Sequence, residues 1–195
     1  MANGYSPVQC GSMIITITGG PGSGKTTAAK NLSKALGIPW YSMGDLRGKM
    51  AQERGMTIDQ LNALGETEAF TDKDVDAYQK KLGESGEDCI VEGRLSWHFI
   101  PQSLKILLTI NPAEGGRRIF QSRSEHHRPD EPIYSSPKEA ERLAQQRIAS
   151  DARRYKKYYQ IDFLNQKNYD IVIDTTSLKP EETLASLLAA IKAQK

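Results

Sequence analysis

Lys25 and Thr26 close the run Gly19-Gly20-Pro21-Gly22-Ser23-Gly24-Lys25-Thr26, which fits G-x-x-x-x-G-K-[ST] at every fixed position. The chemistry such a run serves is anion binding. Residues with little or no side chain let consecutive backbone N–H groups curl around a phosphate chain, and the positive end of a following helix adds to the field. On this reading Gly19 to Thr27 cradle a nucleoside triphosphate, Lys25 reaches its β- and γ-phosphates, and the Thr26 hydroxyl ligates Mg²⁺. The loop alone does not separate kinase, GTPase, ATPase and regulatory binder.

The charged residues narrow the choice. A kinase acting on a phosphorylated acceptor needs more cations than one lysine and one metal ion, because two phosphates must approach each other. Arg117, Arg118 and Arg123 run up to the segment 123–136, RSEHHRPDEPIYSS. Arg147 and Arg154 follow it, seven residues apart and so on one helix face, with Asp151 between them and Tyr158 extending the face. Taken singly, each arginine fits a solvated, salt-bridged helix equally well. As a set flanking one proline-bearing loop they read as a phosphate-binding group, while Arg153, Lys156 and Lys157 read as surface charge.

Glu92-Gly93-Arg94 ends an apolar run, where ligands of open α/β sheets gather. Glu92 is placed to hold a Mg²⁺-bound water, and Arg94 to grip an acceptor phosphate or base. Gly44-Asp45-Leu46-Arg47 offers a second acid–base pair, with a plain helix N-terminus as an equal reading. His126-His127 reads as solvated loop, because zinc would need further ligands. His98, Trp97, Phe99 and Ile100 read as packed side chains, with base stacking by Trp97 as the other option.

These groups need elements to hold them. Met13 to Thr18 is an uncharged β-branched run that predicts a buried parallel strand. A helix follows from Thr26 to Gly37, and further strands are expected near 39–43, 88–92, 104–110 and 169–174. Helices are predicted over 44–54, from the capping box Thr57-Ile58-Asp59-Gln60, from an N-cap at Thr71 to a stop at Gly83, and over 112–122, 136–159 and 180–193. Strands alternating with helices predict a parallel sheet covered on both faces, and residues 123–136 a loop or lid.

A chain of 195 residues fits one domain. A net charge of +2 gives no global nucleic-acid or membrane footprint. Cys10 and Cys89 make no disulfide framework, Cys89 reads as a small buried apolar residue, and no apolar run approaches a membrane span; a cytoplasmic monomer is expected. Residues 1–12 read as a disordered extension or tag, with the kinase domain over 13–195.

With ITITGGPGSGKTT, YSMGDLRGKMAQERGM, TDKDVDAYQ, VEGRLSW, RIASDARRYKKYYQID and YDIVIDTT all present, the span from Met13 to about Thr176 resembles the nucleoside monophosphate kinases. The similarity is greatest to the archaeal-type cytidylate kinases and their bacterial relatives. The resemblance implies a P-loop three-layer α/β/α fold with a five-stranded parallel sheet, a helical acceptor-binding insert at about 38–83 and a lid at about 120–158. It implies Mg·ATP as donor and CMP or dCMP as acceptor, with an adenylate or other small-molecule kinase as alternatives and a non-catalytic nucleotide-binding module as a further one. Carried over by position, Asp45, Arg47, Asp72, Asp76 and Arg94 face the acceptor, Arg118 covers the donor adenine, and Arg123, Arg147 and Arg154 surround the transferred phosphoryl group. The chain has Gly48 three residues after Asp45, where relatives tend to carry an arginine, and Arg47 stands beside that position.

Overall fold

The computed structural model describes residues 12–65, 67–68, 70–125 and 133–194. The expectations for residues 1–11, Cys10 included, and for His126 and His127 lie outside the described residues. The elements run β1 (Ile14–Gly19), α1 (Lys25–Leu36), β2 (Trp40–Ser42), α2 (Met43–Glu53), α3 (Ile58–Gly65), α4 (Phe70–Glu84), β3 (Cys89–Glu92), α5 (Ser96–Phe99), β4 (Leu104–Thr109), α6 (Pro112–Glu125), α7 (Pro137–Tyr159), β5 (Ile171–Asp174) and α8 (Pro180–Ala193), with one 3-10 turn before β5.

All five strands are parallel, in the order β2-β3-β1-β4-β5. The central strand β1 shows why these residues make a buried strand. Ile15 and Ile17 point to one face, where they meet Ala29 and Leu32 of α1 and Leu187 and Ile191 of α8. Ile14 points to the other face, with Met43, Ala51, Leu61 and Val91. Each buried aliphatic side chain is worth roughly 1.5–3 kcal/mol. Thr16 and Thr18 are also fully buried. Their hydroxyls are satisfied: Thr16 shares a hydrogen bond with Ser103 Oγ at 2.9 Å, and Thr18 donates to the Gly93 carbonyl at 2.9 Å.

The chain travels β1, β2, β3 on one side of β1 and then passes to β4 and β5 on the other. The carboxyl end of β1 is therefore the topological switch point, where ligands of such sheets bind. Strand register brings Ile17, Glu92 and Ser42 to that edge from one side and Thr109 and Asp174 from the other. Helices α2, α3 and α4 lie between β2 and β3, and the α6–α7 pair lies between β4 and β5, all bordering the same edge.

Local signals place the element ends. Thr57 Oγ1 accepts from the Gln60 N–H at 3.2 Å while the Thr57 N–H donates to Gln60 Oε1 at 2.8 Å, the expected capping box. Ser136 caps α7 with Pro137 in its first turn, as predicted.

Three expectations are corrected. Helix α4 begins at Phe70, so Thr71 lies inside its first turn, bonded through Oγ1 to the Glu68 carbonyl. Gly83 does not end that helix. It sits within α4 because a Cβ there would lie 3.1 Å from Ile100 Cγ2, and Gln102 Nε2 donates to its carbonyl at 2.7 Å. His98 is exposed rather than packed inside, with ring contacts to Trp97, Phe99 and Tyr159 along the surface. Cys89 is buried and free as expected, and burial pushes its thiol up.

Candidate active site

The phosphate loop joins β1 to α1 through glycines whose backbone no other residue adopts comfortably. Gly22 has φ +79°, and a Cβ on it would lie 2.5 Å from the Gly115 carbonyl oxygen. Two glycines thus let the loop settle against α6. Behind the loop, Glu92 at the end of β3 is 2% exposed. Its Oε1 accepts from the Thr26 hydroxyl at 3.0 Å and lies 3.8 Å from Lys25 Nζ, while Oε2 is buried with no hydrogen-bond partner among the described residues. A buried carboxylate oxygen left open beside a threonine hydroxyl is a donor set that suits hard, oxygen-seeking Mg²⁺ through a bound water. Among the described residues no group of three or more His, Cys, Asp or Glu is placed to hold a metal by itself.

At the other side of the loop, α6 and the segment after β5 come together. Arg118 donates through Nε to Glu114 at 2.8 Å and through one terminal nitrogen to the carbonyls of Thr175, Thr176 and Leu178. Its Nε and one terminal nitrogen are taken up, which fixes the plane of the guanidinium and leaves its flat face for a ligand. Glu114 is also gripped by Arg117, which with Arg118 holds its carboxyl down at about 2.

Away from the loop, α2, α3, α4 and α7 are tied by an alternating chain of charges: Arg94, Asp151, Arg154, Asp72, Arg47. Arg94 pairs with Asp151, which is fully buried and accepts from Arg154 at 2.9 Å. Arg154 Nε stands 3.1 Å from Asp72 Oδ2, at an angle that makes an ion pair rather than a hydrogen bond. Asp72 Oδ1 pairs with Arg47 Nη1, which also donates to the Thr71 carbonyl at 2.9 Å, while Arg47 Nε donates to Asn62 Oδ1 at 2.8 Å and Nη2 to the Leu61 carbonyl at 3.5 Å. Burial lowers the Arg47 pKa, with Arg154 adding to that effect and Asp72 opposing it. For Arg154 burial acts downward too, yet Tyr155, Asp151 and Asp72 outweigh it and the pKa is raised.

Asp76 stands outside this chain. Tyr159 donates to its Oδ2 at 2.6 Å, and burial pushes the carboxyl up to about 6. The Tyr159 hydroxyl is raised in turn, through burial and through Asp76.

These parts border one cleft of ≈ 940 Å³. Of the residues expected at the site, Pro21 to Thr27, Asp45, Arg47, Asp72, Asp76, Glu92, Arg94, Arg118, Arg147 and Arg154 line it. Gly19 and Gly20 do not reach its wall, and neither does Arg123 in the last turn of α6. Arg47, Asp72 and Arg154 border the cleft with their charges already committed to each other. Trp97 turns away, with its ring against Tyr169 at 5.5 Å. On α7 the lining runs from Leu143 through Arg147 and Ser150 to Arg154, Tyr155 and Tyr159, with Tyr158 outside.

Sequence reasoning missed Asn62, Gln79, Tyr155 and Tyr159. A signal existed for Gln79, which follows Asp72 and Asp76 by seven and three residues on one helix face. Nothing comparable marks Asn62.

Comparison with known proteins bears on this geometry. A family model described as the cytidylate kinase-like family matches residues 14–177. A protein named cytidylate kinase from Methanothrix thermoacetophila is 39% identical over 183 residues, 94% of this chain and 100% of that protein. Another of that name from Methanobrevibacter smithii is 36% identical over 180 residues, 92% of this chain and 99% of that protein. Among solved structures, an uncharacterized protein from Eubacterium ventriosum superposes with a TM-score of 0.65 at 18% identity, covering 93% of this chain and 99% of its own. A shikimate kinase from Bacteroides thetaiotaomicron gives 0.63 at 17% identity, covering 92% and 98%. At those identities the likeness establishes the fold, a P-loop α/β/α architecture.

Proposed function

The chain belongs to the cytidylate kinase-like family, which makes it a nucleoside monophosphate kinase, and from that premise we propose that it transfers the γ-phosphoryl group of Mg·ATP to CMP or dCMP. The observation that carries this reading is the single cleft onto which both the phosphate loop and the side chains of α4 open.

An oxygen of the acceptor phosphate attacks the γ-phosphorus in line as the bond to the β–γ bridging oxygen breaks, and ADP leaves with the electron pair. No side-chain base is required, because the attacking oxygen is already anionic. Backbone N–H groups of Gly22 to Thr27 hold the donor phosphates, and Lys25 follows the charge as it shifts toward the leaving oxygen. Thr26 and Glu92 would hold Mg²⁺, which would supply positive charge to the donor phosphates. Arg118 offers its face to the donor base. Arg94 and Arg147 are the arginines that supply positive charge between the two substrates, and Arg123, in the last turn of α6, joins them when α6 and α7 close over the bound substrates. Arg47, Asp72 and Arg154 fix the position of α2, α3 and α4 against α7.

The test is ADP release with Mg·ATP against CMP, dCMP, UMP, AMP and GMP. Turnover with CMP or dCMP in clear preference is the expected result. Preference for AMP overturns the substrate, and no turnover with ATP still bound overturns the reaction.

A further inference from the structure

Helix α4 turns Asp72, Val75, Asp76 and Gln79 onto the cleft at helical spacing. Asp72 is held by two arginines. Gln79 is 3% exposed, and its Oε1 accepts the hydroxyl of Ser96, itself fully buried at the start of α5, at 2.7 Å. A carboxamide anchored through its oxygen presents its nitrogen, and Gln79 Nε2 has no partner among the described residues. Asp76 shows the opposite polarity. Tyr159 on α7 holds Oδ2 at 2.6 Å and leaves Oδ1 open toward the cleft. One turn of α4 therefore offers an acceptor and then a donor, each clamped from behind by a different helix.

We propose that Asp76 and Gln79 together read the acceptor base, Asp76 Oδ1 accepting from an exocyclic amine and Gln79 Nε2 donating to the neighbouring ring nitrogen, with Ser96 as the positioning residue. The inference rests on the nucleoside monophosphate reading and names how its base is chosen. Cytosine carries its 4-amino donor beside the N3 acceptor and matches the pair. Uracil carries the O4 acceptor beside an N3–H donor, so carbonyl meets carboxylate and N–H meets N–H. Leaving such groups unpaired in a closed site discriminates strongly. Adenine has the same amine-beside-nitrogen order as cytosine, so the pair rejects UMP while the rejection of AMP falls to the shape of the cleft.

The experiment compares CMP, UMP and 3-deazacytidine monophosphate, which keeps the amine and lacks the N3 acceptor. Wild-type protein is expected to lose about tenfold to a hundredfold in kcat/KM on 3-deazacytidine monophosphate, chiefly through KM. In Gln79→Ala that difference is expected to disappear. In the double variant Asp76→Asn with Gln79→Glu the preference between CMP and UMP is expected to invert, and Ser96→Ala should relax it without moving the KM for ATP. Wild-type protein that uses CMP and the 3-deaza analogue equally overturns the proposal even if no variant folds. An unchanged ratio of CMP to UMP in both Gln79 variants overturns it while leaving the kinase reading intact. Wild-type protein inert on every monophosphate overturns both.

Discussion

Neutralising Asp151 tests whether the charge chain behind the cleft holds the molecule together. The chain has three guanidiniums, of Arg94, Arg154 and Arg47, and two carboxylates, of Asp151 and Asp72. Asp151→Asn keeps the shape but raises the buried excess from one positive charge to two. The Asp151 side chain is 0% exposed and that of Arg154 1%, so water does little to screen the change. Removing one partner of a buried pair costs about 3–5 kcal/mol, because the other charge stays behind uncompensated. Against a total stability of roughly 5–15 kcal/mol this is a large share. For a chain of this size each kcal/mol moves the midpoint by about 2–4 °C, so Asp151→Asn should melt about 6–20 °C below the parent. The control is Glu114→Gln, which breaks the more exposed pairs with Arg117 and Arg118 and should shift the midpoint far less. Thermal and urea unfolding of both variants is the assay. An Asp151→Asn midpoint within a degree or two of the parent, or an equal shift in the two variants, would refute the claim that burial sets the strength of the network.

Glu92→Gln should raise the free Mg²⁺ needed for half-maximal rate by about 10- to 100-fold, since Glu92 would act through a metal-bound water; an unchanged magnesium titration would remove Glu92 from the metal site. Arg147→Ala should lower kcat by about 10²–10³ while ATP still binds, and a matching loss of ATP affinity would show that it serves the ground state instead. With Asp76 at about 6, kcat/KM for CMP should fall as pH drops through that value, and Asp76→Asn should abolish that limb. The same raised pKa predicts the sign of a stability effect. Between about pH 4, where an unfolded aspartate titrates, and pH 6 the native state holds the proton that the unfolded state has lost, so Asp76 disfavours folding increasingly across that window. Asp76→Asn should therefore be more stable than the parent above pH 6 and equal to it near pH 4; urea midpoints that show no such divergence would place the carboxyl in water.

The donor side was legible because its signals are contiguous. The loop from Gly19 to Thr26 needs only local backbone geometry, and the strand before it and helix after it carry their own periodicities. Caps were equally local: Thr57 with Gln60 and Ser136 with Pro137 were visible as short patterns and formed as such. Gly83 misled because glycine ends helices by its own conformation but sits inside one when a neighbour comes too close for a Cβ, and that neighbour, Ile100, is remote in sequence.

The acceptor side was legible only as an inventory of charges. Whether an arginine serves a substrate or the fold depends on which carboxylate stands beside it, and pairs such as Arg94 with Asp151 or Arg154 with Asp72 span up to 82 residues of chain. Once those pairs form, Arg47, Asp72, Asp151 and Arg154 largely neutralise one another. Among the groups still facing the cleft is a less conspicuous pair, Asp76 with one open oxygen and Gln79 with one open nitrogen. A buried charge left without its partner costs about 3–5 kcal/mol, more than a single hydrogen bond to a base contributes. The strongest charges are therefore the first to be consumed by folding, and selectivity passes to the polar groups that folding leaves over.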